Sequence, residues 1–308
     1  VSSDTRNAPV RRRIRRLSRR DVVLLVVLVG LPVVLDLALI WGPTVASVGL
    51  SFTDYKGIVA PKFIGFENYV NLFTNFPPFW TGVRNNVLWL LFLGLIATPL
   101  GLFFAVLLDK QIKFSRFYQS ALYLPVVLSL AIVGFIAQLV FSRDYGALNS
   151  VLESLGVISK SHPIDWLGDP SINIWAMLVA AGWRHVGYVM ILYLAGLKSV
   201  DPALKEAAAI DGANEGQTFF RVVFPALRPV NIVVLVITVI EGLRAFDIVY
   251  AVNQGTDGLQ LLSTLVTASI VGEASNIGFG SAIAVVLLLV SLGFVITYLV
   301  NIFREDRP

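Results

Sequence analysis

The sequence predicts an all-α membrane protein: six transmembrane helices, with a long cytoplasmic loop between the fourth and the fifth. Three observations carry this reading. First, 56% of the 308 residues are hydrophobic and only 14% are charged, against about 25% charged in a water-soluble chain, and the mean hydropathy is +0.77. Second, the apolar residues gather in runs of about 20 or more, the length a helix needs to cross roughly 30 Å of hydrocarbon. Third, Lys and Arg are shared one-sidedly between the connecting segments, the pattern of loops retained in the cytoplasm.

The first run starts at Val22 and continues to about Val48 through Pro32, Asp36 and Pro43; a lipid-embedded helix tolerates proline where neighbours satisfy the freed carbonyls. Val87 to Leu108 carries no charge, and Tyr118 to Phe141 has Gln138 as its one strongly polar side chain. Ile172 to Leu194 carries Arg184 and His185, Val230 to about Tyr250 carries Glu241, Arg244 and Asp247, and Ile277 to Ile302 completes the six. Leu259 to Val271, 13 residues, is too short to cross and reads either as a re-entrant or interfacial helix or as an ordinary packed loop helix.

With both termini inside, 17 of the 24 Lys and Arg residues fall in the cytoplasm against five outside, namely Lys56, Lys62, Arg84, Arg143 and Lys160. The chain then divides into a basic N-terminal segment (1–21), a six-helix domain (22–303) and a short cytoplasmic tail (304–308). The arginine-rich start is read as a topology anchor beside anionic lipid, in preference to a nucleic-acid tail or a twin-arginine export signal from Ser18-Arg19-Arg20. The apolar stretch after it is longer than that of a cleavable signal and lacks an A-x-A-like site, so the N-terminus is expected to stay attached.

Most chemistries are excluded by what is missing. There is no cysteine, and the two histidines are His162 and His185, which removes thiol catalysis, disulfides, and cysteine or clustered-histidine metal sites. No G-x-x-x-x-G-K-[ST] loop is present to cradle nucleotide phosphates, and neither H-E-x-x-H nor G-x-S-x-G occurs. Nor is there an internal repeat of the kind expected of a self-contained carrier built from matching halves.

The informative segment is Gly196 to Pro229, which reads as two short helices. Asp201 caps the first with Pro202 at its first position, Leu204 to Ile210 continue it, and Gly212 supplies a left-handed end. Asn214 caps the second with Gln217 three residues on, and Phe224-Pro225 stops it. Leu204, Ala207, Ala208, Ile210, Phe219, Phe220 and Val223 give this water-facing loop an apolar character that suits docking into a partner.

These residues carry a resemblance. Glu206-Ala207-Ala208, three residues, Gly212, nine residues, then Val222-x-Phe224-Pro225 is similar to the E-A-A-x3-G-x9-I-x-L-P loop of permease subunits in binding-protein-dependent ABC importers. The continuation through Ala213-Asn214 resembles the carbohydrate-uptake, maltose-type branch. Phe63-Ile64-Gly65-Phe66-Glu67-Asn68-Tyr69, Tyr123-Leu124-Pro125 and Phe246-Asp247-Ile248-Val249-Tyr250 also match. Val222 and Phe224 stand where Ile and Leu are usual, and Gly255-Thr256-Asp257-Gly258 where Gly-Gly-Pro often follows span five.

The resemblance implies a bacterial plasma-membrane permease that pairs with a second permease, two ABC ATPases and an extracytoplasmic solute-binding protein to import a carbohydrate. It implies no nucleic-acid partner and no cofactor in this chain, with ATP and Mg held by the ATPase. Glu206, Ala207, Ala208, Asp211, Gly212 and Pro225 would form the coupling surface, Glu206 contacting the ATPase and Gly212 making the turn. A sugar phosphate such as glycerol phosphate, which the mid-membrane arginines would suit, is the alternative cargo, and a proton-coupled carrier using Asp36 or Glu241 the alternative mechanism.

At about 1.5 Å per residue, Asp36, Arg184, Glu241 and Arg244 all fall near the midplane. Charges there face a cavity or one another, so Arg184 and Arg244 are expected to neutralise Asp36 and Glu241, and Glu241 and Arg244, three apart, to share a helix face. Whether the cluster holds helices together or contacts a hydrated ligand is left open by spacing alone. Phe246, Asp247 and Tyr250 are assigned to the transport path through the resemblance, their aromatic faces and hydrogen-bonding groups suiting sugar rings; Trp183, Gly187 and Tyr188 are further candidates, with helix packing as the alternative.

Overall fold

The computed structural model describes residues 18–110, 112–272 and 275–305; the expectations that rest on the arginines of 6–16 and on Arg307 lie outside them. Apart from one antiparallel bridge between Thr53 and Phe63, every regular element among the described residues is helical. The chain falls into two units, divided after Gly49, and each is described by itself.

The described residues of the first unit form a single helix, α1 (Arg19–Leu50), with Ser18 ahead of it. Ser18 and Asp21 close a capping box at its start, each side chain accepting from the other's backbone N–H at 3.2 and 3.0 Å, so two of the donors that a helix N-terminus leaves free are satisfied. Pro32 lies inside it, and the helix widens into a π turn at Leu37–Trp41. Asp36 is the last residue before that turn.

The second unit contains α2 (Glu67–Thr74), α3 (Pro77–Asp109), α4 (Ser115–Val127), α5 (Leu130–Phe141), α6 (Ala147–Ser154) and α7 (Asn173–Ser199). Then come α8 (Pro202–Ile210), α9 (Glu215–Ala226) and α10 (Arg228–Leu243), α11 (Asp247–Asn253), α12 (Leu262–Val271) and α13 (Ile277–Glu305). Of the described helices, α1, α3, α7 and α13 are each long and apolar enough to cross a membrane, and two bent pairs raise the number to six when each counts as one span.

Three expected runs are corrected. The helix expected from Val87 begins at Pro77, because proline suits a first helical turn and because the polar residues ahead of Val87 have partners. Asn85 donates to the carbonyls of Gly258 and Gln260 at 2.7 and 2.9 Å, and both Asn85 and Asn86 are buried. The run Tyr118 to Phe141 is two helices, α4 and α5, bent by 103°. Pro125 weakens the end of α4, Leu128 is extended, and Ser129 restarts the chain by accepting from the Ile132 N–H at 3.3 Å. The run Val230 to Tyr250 stops at Leu243 and resumes at Asp247, with Phe246 at φ −149°, ψ −64°.

Burial explains the arrangement. Most of α7 is buried; its first half packs through Met177, Leu178 and Ala181 against Trp89 and Leu93 of α3, Val133 of α5 and Ile248 of α11. Its other half packs through Val189, Met190 and Leu194 against Ala105 and Leu108 of α3 and Val223 of α9. Leu262 and Leu265 of α12 are buried with Phe79 of α3 and Ile283 of α13, so the short apolar segment is a packed helix.

Candidate functional site

The loop after α7 is built from its capping residues. Asp201 accepts from the Ala203 N–H at 2.9 Å with Pro202 as the first residue of α8. At the other end Gly212 has φ +79°, and the N–H groups of Gly212 and Ala213 donate to the carbonyls of Ala209 and Ala208 at 3.1 and 3.0 Å. That closure needs a residue with no Cβ penalty in the left-handed region. Asn214 and Gln217 then exchange hydrogen bonds of 2.9 and 3.0 Å, a reciprocal cap that starts α9. Pro225 does not end α9 as expected. A π turn at Phe219–Val223 precedes it and the helix runs on to Ala226, the 73° bend to α10 falling at Leu227.

Between α8 and α9 lies an open groove of about 590 Å³ walled by Leu204, Ala207, Ala208, Asp211, Gly212 and Arg221, among others. Ala208 is buried beneath it, while Glu206, Ala207, Asp211, Gly212 and Pro225 are exposed. Ile210 of α8 and Phe220 of α9 are 86% and 71% exposed, so each short helix carries a large apolar side chain in the open. Two ion pairs reach the loop from the end of α3: Lys110 to Glu215 at 2.6 Å and Asp109 to Lys205 at 3.4 Å. The Lys110 ammonium, by hydrogen bond and charge, holds the Glu215 carboxyl below the usual carboxylate range. A lowered carboxyl adds stability above its ordinary pKa and loses it as pH falls, so this contact is complete at neutral pH and released in acid.

The second constellation surrounds a cavity of about 180 Å³ at the break after α10. Arg184, Glu241, Arg244, Phe246 and Asp247 line it together with Trp89 and Leu130. Glu241 accepts from Arg184 Nη1 at 3.3 Å, and its other oxygen lies 2.7 Å from His185 Nδ1. A carboxylate only accepts, so Nδ1 carries the proton. His185 Nε2 lies 3.2 Å from the hydroxyls of both Thr98 and Thr238, and Thr238 donates on to the Val234 carbonyl at 2.8 Å. One carboxylate near the broken end of α10 therefore gathers α7, and through His185 also α3.

This corrects the pairing expected from depth alone. Glu241 takes Arg184 and His185, whereas Arg244 lies past the last helical residue and makes no ion pair among the described residues. Asp36 belongs to the first unit. Phe246 stacks on Tyr250 with ring centroids 4.8 Å apart and planes 20° apart, but Tyr250 does not itself line the cavity, nor do Trp183, Gly187 and Tyr188. Trp183 is exposed and Tyr188 half-buried.

Gly187 is a helix contact: a Cβ there would collide with the Leu122 carbonyl of α4. Gly187→Val is accordingly expected to destabilise the protein by about 1–3 kcal/mol through overpacking, read as a lowered melting temperature in detergent. His185, Thr98 and Thr238 were missed by sequence reasoning. Only His185 left a signal, standing beside Arg184 at the depth of a carboxylate that needed partners.

Known proteins align with this chain over nearly its whole length. The family described as binding-protein-dependent transport system inner membrane component matches residues 12–306. The xylose/arabinose import permease protein XacH of Haloferax volcanii is 34% identical over 284 residues, covering 90% of this chain and 87% of that protein. The trehalose/maltose transport system permease protein MalF of Thermococcus litoralis is 32% identical over 254 residues, covering 82% and 84%. A crystal structure of a bacterial ABC transporter involved in the import of the acidic polysaccharide alginate has a chain that shares the fold, with TM-score 0.78 at 23% identity, covering 94% of this chain and 97% of that one. By family match and by these relatives, the chain belongs to the inner membrane components of binding-protein-dependent transport systems.

Proposed function

We propose that this permease carries a carbohydrate, as one half of a heterodimeric pore driven by two ABC ATPases and fed by an extracytoplasmic solute-binding protein. Six spans cross a bacterial plasma membrane with both termini in the cytoplasm: α1, α3, the pair α4–α5, α7, the α10 region and α13. Residues 1–21 are a basic anchor, 22–303 the transmembrane domain and 304–308 a tail, and the loop 196–229 faces the ATPase. The carbohydrate assignment is supported by the pentose and disaccharide cargoes in the names of XacH and MalF.

The observation that carries the mechanism is the ordered two-helix loop. Glu206 is exposed on α8, Gly212 turns the chain at φ +79°, and Ile210 and Phe220 stand exposed on the two helices that wall a groove, a shape suited to docking. Closure of the ATPases on ATP, which they bind with Mg, would pull on this loop and reopen the cavity on the opposite side. The ATPase must bind the two arrangements unequally for any such movement to occur.

Arg184 and Arg244 both line the one cavity, and Arg244 makes no ion pair among the described residues, which favours an anionic sugar as the second reading of the cargo. Gentle solubilisation of the tagged chain and mass spectrometry of what co-purifies tests the assembly. A second E-A-A permease and a P-loop ATPase are expected, both depleted by Glu206→Ala; this chain alone, still transporting, would instead support a proton-coupled carrier.

A further inference from the structure

α3 touches both constellations. Near its start, Asn86 donates to the carbonyl of Gly242, next to Glu241, at 3.2 Å and accepts from the Leu262 N–H at 3.0 Å. Midway, Thr98 meets His185. At its end, Asp109 and Lys110 reach the two short helices of the loop. From Asn86 to Lys110 is about 36 Å at 1.5 Å per residue, one continuous helix between the cavity and the loop.

The attachment to the loop has two layers. Beneath, Leu108 is buried with Val223 and Leu227, an apolar contact that holds but has no direction. Above, neighbouring residues of opposite sign go to different helices, Asp109 to α8 and Lys110 to α9. Exchanging partners would set Asp109 against Glu215 and Lys110 against Lys205, so the arrangement opposes its own slippage. Lys110–Glu215 is solvent-exposed, Glu215 at 85% and Lys110 at 55%, while Asp109–Lys205 is half-buried; an exposed pair adds little stability. Register is what they can supply.

We infer that α3 carries movement of the loop to the cavity, and that Asp109 and Lys110 are positioning residues that fasten it to both short helices. The inference rests on reading the loop as the segment that docks on the ATPase.

The absence of cysteine provides the test. Leu130→Cys places one thiol on the cavity wall, and a membrane-impermeant maleimide added outside proteoliposomes of the whole importer reads its exposure with and without ATP and vanadate. The parent is expected to label faster when ATP and vanadate are present. Lys110→Glu, and Lys110→Met as the milder variant, should cut that increase by about threefold to tenfold while the ATPase still co-elutes. The double variant K110E/E215K should restore it to within about twofold, and D109K with D109K/K205D should behave in parallel.

Lys110 variants that label like the parent, or charge swaps that restore nothing, overturn the inference and leave the loop reading intact. A parent that does not respond to ATP overturns the loop reading, and the inference with it.

Discussion

Gly212→Val is expected to cut ATP-driven uptake by roughly tenfold or more, since a β-branched residue at φ +79° costs of order 1–3 kcal/mol in the turn that sets α8 against α9. The chain can relieve that cost only by leaving the left-handed region, which breaks the hydrogen bonds from Gly212 and Ala213 to Ala209 and Ala208 and moves the groove between the helices. Gly212→Asn is the control, because asparagine enters the left-handed region far more readily; it should retain uptake within about threefold of the parent. Uptake into vesicles, with the amount of co-eluting ATPase recorded alongside, separates a distorted loop from a missing chain. Full uptake by the valine variant would mean that the turn does not set the geometry that drives transport.

Glu241→Ala should destabilise the protein by roughly 3 kcal/mol. The carboxylate is the shared acceptor of Arg184 and His185, and its removal leaves the guanidinium on the wall of a cavity of about 180 Å³ with no counter-charge and the buried His185 N–H with no acceptor. The estimate takes the lower end for a broken buried pair, because 31% of the Glu241 side chain and 21% of Arg184 remain exposed. Thermal unfolding in detergent gives the size of the loss, and Glu241→Ala combined with Arg184→Ala should recover part of it, since the stranded charge is then gone. A single variant as stable as the parent would mean that water in the cavity already screens the cluster.

The two sites differed in how far the sequence disclosed them. The loop was legible because its signals are local: Asp201, Pro202, Gly212, Asn214 and Gln217 act within a few residues of themselves, and each takes the role its type dictates. The spans were legible as apolar runs, but their breaks were not. The 103° bend before Ser129 follows Pro125 and the Ser129 cap, local marks that hydropathy does not register, whereas the placing of α5 and the interruption at Arg244–Phe246 involve contacts with remote segments. Gln138 donates to the carbonyls of Ala251 and Val252 at 3.2 and 2.8 Å, and Ser263 donates to that of Ala245.

Hydropathy reports that a segment belongs in lipid and is silent on whether it runs straight. Depth counting along an assumed straight helix brought Glu241 and Arg184 to one level, and they do meet; Arg244, three residues after Glu241, caps the helix and lines the same cavity, but it takes no share of that ion pair. The role of His185 was hidden because two hydroxyls more than 50 residues away in sequence complete its setting.

The π turn at Leu93–Ala97 in α3 fixes how the chain can be edited. A π turn accommodates one residue more than the α-helical turn it replaces. Deleting Gly94 should let the turn close as α-helix and leave the residues after it in nearly the same phase relative to Asn85 and Asn86, whereas deleting a residue from an α-helical turn of α3 would rotate everything after it by about 100° and move it by about 1.5 Å. After a deletion of the second kind Asp109 and Lys110 would face away from Lys205 and Glu215, although every side chain named above would still be present. At this position the chain can lose a residue and keep its phase: a homologue one residue shorter here could still fasten its loop through the same pair of side chains, which a homologue shortened elsewhere in the helix could not.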